Sequence, residues 1–362
     1  MEPKKTPLFE SHTRLNALMA GFAGWDMPIH YGSIISEALH TRKNCSAFDI
    51  SHMGEFFIKE DPSKSTLDKI ITVPVVKMGE GKCRYGFLLN ENGGIIDDLI
   101  VYRIKEDEWM VVVNASNEER DALHFSAALS ASASFDNRSG AMAKLDIQGP
   151  SSPAVMEELA GGGIGALKYF SFGEFDIFGE SCIISRTGYT GEAGFEVYAG
   201  ASKSVEIWDA LLAKEGVKPA GLGARDILRL EAGLPLHGSE MDENITPLEA
   251  GFGRVIDFEK EFTGRDALLK QREVGVKKNL RGFLAAGRRQ PRHGSTITVN
   301  GKEAGVVTSG CFSPHLNRGI GAGYIDTSAG AEEGAKIEIG AGKPLIDAEI
   351  TAMPFIKTRA NN

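Results

Sequence analysis

Asn92-Gly93-Gly94-Ile95-Ile96-Asp97-Asp98-Leu99-Ile100-Val101-Tyr102 is the stretch that decides how this chain folds. A glycine turn feeds an apolar strand, and alternation along it places Asp98, Ile100 and Tyr102 on one face and Asp97 on the other. Acids are poor strand formers, so an acid on an inward face is either paired or chemically employed. Two further strand-like runs, Arg84–Leu89 and Trp109–Ala115, flank this one across the short polar connections Asn90–Gly94 and Lys105–Glu108, which predicts an antiparallel meander. With those loops centred on Asn92 and Glu106, Asp98 falls opposite Asn114 and, within a residue, opposite Tyr85. One carboxylate, one amide and two phenols (Tyr85 and Tyr102) then share a sheet face, a set suited to a flat heteroaromatic ligand. Standing alone beside its glycines, Asp98 would read as a turn acid.

Outward from the meander, Ser33 to Lys43 reads as a helix with an apolar stripe of Ile34, Ile35, Ala38 and Leu39. Ser152-Pro153, then Ala154–Ala160 and Gly161, supplies a cap, a first-turn proline and a stop. Phe175–Ser185 and Phe195–Tyr198 read as strands. Ser202 is expected to cap a helix bearing Val205, Ile207, Trp208, Leu211 and Leu212, and another helix runs from Ala224 to Ala232 and stops at Gly233. From Leu280 the pattern is all-β. Thr296–Val299, the turn Asn300-Gly301 and Glu303–Val307 predict a hairpin, and Gly319–Ile325, Lys336–Gly340 and Ala348–Met353 extend it into a small barrel or sandwich. The charged stretch Lys260–Asn279 is the expected domain boundary.

At 362 residues the chain exceeds one compact core, so two or three domains are expected. A net charge of −9 disfavours bulk nucleic-acid binding. No apolar run approaches the roughly 20 residues of a membrane span, and Met1–Pro7 has neither secretory nor transit character. A cytoplasmic location is the expectation. Cys45, Cys83, Cys182 and Cys311 form no CxxC pair and read as reduced, mostly buried thiols. The dispersed histidines, with no HExxH, argue against a metal site.

Four more places are weighed for chemistry. Glu196 follows glycines spaced by three (Gly188, Gly191, Gly194), which let backbone approach a ligand, and its carboxylate can accept two parallel N–H bonds; a solvated hairpin glutamate is the plainer alternative. Arg225 lies in the first turn of its helix, against the helix dipole, so an ion pair with an acid such as Asp226, or a contact with an anion or flat ring, must favour it. His52 reads as a satisfied structural histidine, and the basic region Arg281–His293 as a solvated rim.

Taken together, Thr6–Phe9, Phe22–Pro28, Phe48–Glu55, Asn90–Tyr102, Ser185–Glu196, Pro219–Glu231 and Thr308–Pro314 resemble, in order and over nearly the whole chain, the T-protein (aminomethyltransferase) family of the glycine cleavage system. The resemblance implies an α+β fold of three domains in a cloverleaf around a central folate channel, with antiparallel sheets and a C-terminal β-barrel. The expected domains are 1–50 plus 140–250, the inserted 51–139, and 275–362. The implied reaction transfers the one-carbon unit from the aminomethyl-dihydrolipoyl arm of the H-protein to tetrahydrofolate, giving 5,10-methylenetetrahydrofolate, ammonia and the dihydrolipoyl arm. By resemblance Asp98 is the catalytic acid, and Tyr85, Tyr102, Asn114, Tyr189, Glu196 and Arg225 contact the folate. No metal and no covalent nucleophile are implied. Arg254 stands where many members carry tryptophan, and Pro354–Lys357 lacks the aromatic or arginine often found there. A folate-dependent demethylase of a small thioether, sulfonium or aryl ether is the rival enzyme reading. A folate-binding iron–sulfur maturation factor is the non-enzymatic one, disfavoured because Glu261–Ala267 lacks its Lys-Gly-Cys-Tyr signature.

Overall fold

Alternation along one short strand sets the character of a six-stranded open sheet. In Met142–Gln148, Ala143, Leu145 and Ile147 take one face while Lys144, Asp146 and Gln148 take the other. The computed structural model describes residues 2–340 and 344–360. It places this strand in a six-stranded sheet ordered Phe172–Ile177, Glu180–Ser185, Gly194–Gly200, Met142–Gln148, Cys45–Asp49, Val217–Pro219. Only the last pair is parallel. The apolar face, with Leu145, Ile147, Ile184, Phe195 and Val197, packs against Val155 and Met156 of helix Ser152–Ala160 and Ile207, Trp208 and Leu211 of helix Ser204–Leu212. Each such side chain contributes about 1.5–3 kcal/mol on full burial. The opposite face is buried as well, yet it is polar: Lys144, Asp146, Gln148, Ser185 and Glu196 are all at most 3% exposed. Buried polar atoms need partners, and that requirement shapes the site below.

The meander forms as expected inside a five-stranded sheet ordered Lys82–Leu89, Ile95–Lys105, Glu108–Val113, Gly54–Lys59, Ser134–Asn137. Ile100 pairs with Val112 and Tyr102 with Met110, the register implied by a loop centred on Glu106. The Asn90 side chain accepts the backbone N–H groups of Asn92 and Gly94, both at 2.9 Å, and so closes the first loop. Strands Lys278–Ala285, Arg318–Asp326, Lys302–Ser313, Thr296–Val299, Lys336–Gly340 and Ile346–Thr351 close into a barrel around Phe283, Ile297, Val307, Ile337 and Ile350. Its Asn300-Gly301 turn has φ of 50° and 77°, as the hairpin signal required. The described residues divide into two compact units. One lies within Met1–Gly86, Leu99–Asp226 and Arg359–Asn362, the other within Phe87–Asp98 and Ile227–Thr358. Of the expected range 275–362, residues 341–343 and 361–362 lie outside the described residues. No helix among the described residues is long and apolar enough to cross a membrane, and the four cysteines are buried and form no disulfide among the described residues.

Several local expectations need correction. Helix Ile34–Lys43 buries Glu37, Ala38, Thr41 and Arg42, while Ile35 is exposed. The polar residues win because each is satisfied. Glu37 accepts the N–H groups of Tyr31 and Gly221, Thr41 bonds Ser46, and Arg42 pairs with Glu192 at 2.9 Å. Ser152 does not cap its helix; its hydroxyl donates to the Ala193 carbonyl. Phe175–Ser185 is not one strand but a hairpin turning at Phe178 and Gly179, where φ is 56° and 79°. Ser202 lies in a short 3-10 turn, and the helix begins at Ser204. The expected boundary stretch folds in part as helix Arg265–Val274.

Candidate active site

The polar face of the six-stranded sheet organises itself around Glu196. Its backbone register sets it opposite Asp146 on one side and Ser185 on the other. Lys144 Nζ lies 3.0 Å from Glu196 Oε1, and the Thr187 hydroxyl donates to Oε2 at 2.5 Å. Because Thr187 gives its proton to Glu196, Ser185 must donate its own to Thr187, 2.6 Å away. Tyr102 then donates to Ser185 at 3.3 Å and accepts from Tyr198 at 2.8 Å. The chain of hydroxyls runs one way and ends on the carboxylate, each bond reinforcing the next. Beside it, Arg225 pairs with Asp146, and its guanidinium carbon lies 5.0 Å from the centre of the Tyr189 ring.

The electrostatics follow from burial and pairing. Burial opposes charge on Glu196, but Lys144, the Thr187 bond and Arg225 outweigh it and hold the carboxyl below its ordinary range. Asp146 is pushed up to about 6 by burial, against the pull of Arg225. Glu55, buried nearby on Gly54–Lys59, is pushed up to about 8, chiefly by burial, and its Oε1 has no hydrogen-bond partner among the described residues. His52 is lowered to about 4, first by burial, so it is neutral at pH 7. It packs edge-on to Phe22, and its Nδ1 makes no hydrogen bond among the described residues, so it is less satisfied than the sequence reading held.

The raised Glu55 carboxyl has a consequence for stability. A carboxyl whose folded value exceeds its unfolded one favours the native state at low pH, and the benefit is lost as pH rises through the folded value. For Glu55 that window runs from its ordinary 4.5 to about 8. Unfolding temperature should therefore fall between about pH 5 and pH 8, and Glu55→Gln should flatten that part of the profile. Calorimetric scans across this range check it; an unchanged slope in the variant would assign the loss to another group.

The glycines before Glu196 serve a purpose other than the one the sequence implied. A Cβ on Gly188 or Gly194 would lie 2.1 or 2.0 Å from the Gln148 amide. Both residues are bare to make room for that side chain, which donates to the Thr187 carbonyl at 3.1 Å and accepts from Thr190. Gly191, at φ 74°, turns the loop. Gly194→Ala should cost about 1–3 kcal/mol by overpacking, seen as a lower unfolding temperature, and should displace Thr187 from Glu196.

Glu196, Arg225, Tyr189 and Tyr102 thus belong to one connected neighbourhood, in which Tyr102 is fully buried and bonded to protein. Arg225 finds Asp146 as its acid, not Asp226, which is exposed. Tyr85 and Asn114 are half-buried on Lys82–Leu89 and just beyond Glu108–Val113. Asp98 is half-buried on Ile95–Lys105, and of the two neighbouring acids it is Asp97 that is fully enclosed. Lys144, Asp146, Ser185, Thr187 and Tyr198 were not anticipated. The signal was present in Lys144-Leu145-Asp146-Ile147-Gln148, where ionisable and apolar residues alternate at strand period.

Comparison with known proteins points to one family over nearly the whole chain. Residues 8–260 match the GCVT N-terminal domain, and residues 278–357 match the glycine cleavage T-protein C-terminal barrel domain. An aminomethyltransferase of Halothermothrix orenii is 43% identical over 98% of this chain and 100% of its own length. One from Thermosipho melanesiensis is 44% identical over 98% and 97%. The crystal structure of the glycine cleavage system aminomethyltransferase T from Bartonella henselae superposes with a TM-score of 0.94 at 32% identity, covering 99% of each chain.

Proposed function

We infer that this chain, which belongs to the glycine cleavage T-protein family, is an aminomethyltransferase that moves a one-carbon unit from an aminomethylated lipoyl carrier to tetrahydrofolate. Similarity over the full length favours this reading over the demethylase and iron–sulfur alternatives. The observation that carries the folate assignment is Glu196, a buried carboxylate kept ionised, with Arg225 beside it against the Tyr189 ring. A pterin presents adjacent N–H donors along one edge and a flat π-face. The carboxylate suits the edge, and a guanidinium suits the face.

The chemistry asks little covalent work of the protein. An S–CH2–NH2 group yields an electrophilic carbon as its amine departs as ammonia, and the attacking nitrogens belong to the folate. What remains is positioning and a carboxylate that handles the nitrogen's proton. In our reading Asp98 is that carboxylate, while Tyr85, Tyr102 and Asn114 shape the folate's surroundings, with Tyr102 acting through the hydroxyl chain that ends on Glu196. The lipoylated H-protein is the proposed donor, and the cytoplasm the proposed location. The three-domain division belongs to the proposal too. No sheet crosses the ranges: a six-stranded and a three-stranded sheet lie in 1–50 plus 140–250, a five-stranded one in 51–139, and the barrel in 275–362, among the described residues.

Incubation with aminomethyl-loaded H-protein and tetrahydrofolate should release ammonia and form methylenetetrahydrofolate in equal amounts. Equal one-carbon transfer from a free small methyl donor, with no lipoyl carrier present, would overturn the donor assignment.

A further inference from the structure

Lys144 is the least ordinary member of the site. A lysine that is 1% exposed on a sheet face is rare unless it is paired. Its Nζ is 3.0 Å from Glu196 Oε1, 3.5 Å from Met53 Sδ and 5.1 Å from the centre of the Tyr198 ring. We propose that Lys144 is a specificity-determining residue: by pairing with Glu196 it makes the acceptor one half of a neutral ion pair, so the site takes an uncharged N–H edge and rejects one that is cationic. This rests on the folate reading of Glu196 and deepens it.

A carboxylate alone in a pocket recruits a protonated amino-imine edge, because the charge-assisted pair is stronger than the neutral one. Here that charge is already answered. Lys144 and Thr187 each occupy one oxygen, leaving the remaining lone pairs of a roughly four-site acceptor for neutral N–H donors. Arg225 is a second cation in the same field, paired in turn with Asp146. Of the other groups facing Glu196, burial keeps Tyr102, Tyr198, Tyr169 and Cys83 in their uncharged forms and leaves Glu55 largely protonated at pH 7. His52, which faces Lys144 and Arg225, is neutral as well. At neutral pH two cations therefore meet two carboxylates and the cluster is balanced before any ligand arrives; below about pH 6, where Asp146 takes up a proton, the cluster gains a net positive charge that opposes a cationic edge further. A cationic ring edge would add an uncompensated charge where water does not screen it.

The test compares tetrahydrofolate, whose ring carries a 2-amino-4-oxo edge, with its 2,4-diamino counterpart, which protonates readily on that edge and bears the same tail. Calorimetric binding to the intact chain, from pH 8 to pH 5, gives the ratio of the two dissociation constants. We expect the ratio to move at least tenfold against the diamino compound as that compound takes up its proton. A ratio that stays level, or moves in its favour, overturns the proposal without any variant. Lys144→Met should reduce the low-pH discrimination at least tenfold, and Lys144→Arg should retain it. A folded Lys144→Met chain with unchanged discrimination, or a Lys144→Arg chain that loses it equally, overturns the charge argument. If the unaltered chain binds neither pteridine, it is the folate reading that fails, and this inference falls with it.

Discussion

Replacing Asp98 by Asn should lower turnover by about 10²- to 10⁴-fold, the range general acid–base groups contribute, while tetrahydrofolate affinity stays within about threefold. Asparagine keeps the size and one acceptor oxygen but neither the charge nor the capacity to take a proton. Asp98 is half-buried on its strand, so the substitution should leave the fold intact. Its neighbour supplies the control. Asp97 is fully enclosed on the other face of the same strand, so Asp97→Asn should lower the unfolding temperature and leave the turnover of the folded fraction near the parent level. Single-turnover assays with loaded H-protein, run beside thermal scans, separate the two. Parent-level turnover in Asp98→Asn would remove the residue from the mechanism. Equal damage from both variants would mean that the pair serves the strand and not the chemistry.

The elements that were legible in the sequence are those whose signals are local. The Asn300-Gly301 hairpin, the stop at Gly233 and the meander register each follow from turn chemistry and loop length over a dozen residues. Local pattern singled out Glu196 and Arg225 and the resemblance gave them a folate role, but neither showed what holds them. Asp146 lies far along the chain from Arg225, and it is the sheet pairing of Met142–Gln148 with Gly194–Gly200 that brings Asp146 and Lys144 to Glu196. Nothing in the spacing of Gly188 and Gly194 distinguishes room for a ligand from room for Gln148; only the packed side chain does. Helix Ile34–Lys43 went astray for a related reason. Its buried face is made of polar residues whose partners, Tyr31, Ser46, Glu192 and Gly221, come from other segments. Periodicity of apolar residues cannot report a face that is buried through hydrogen bonds.

Glu196→Gln should weaken tetrahydrofolate binding by about 10- to 100-fold, because hydrogen bonds to a charged partner are worth about 1.5–3 kcal/mol and a tenfold change in affinity corresponds to about 1.4 kcal/mol. The same change has a second effect on the empty protein. It strips Lys144 of its counterion in a site from which water is excluded, and leaving a buried charge unpaired typically destabilises by about 3–5 kcal/mol. The two effects separate in the double variant Glu196→Gln with Lys144→Met. Removing both charges should recover much of the lost stability, since the desolvation of the lysine disappears with it, yet binding should stay weak because the acceptor is still absent. The pH dependence carries a sign of its own. Glu196 is held below its ordinary value, so its contribution to stability is present above the unfolded value and is lost as pH falls through the folded one; the single variant should lose that acid limb. Calorimetric binding and thermal scans on the three proteins decide the matter. If the single variant binds folate as tightly as the parent, Glu196 is a counterion for Lys144 and nothing more. If the double variant regains binding along with stability, the carboxylate was never the acceptor for the pterin edge.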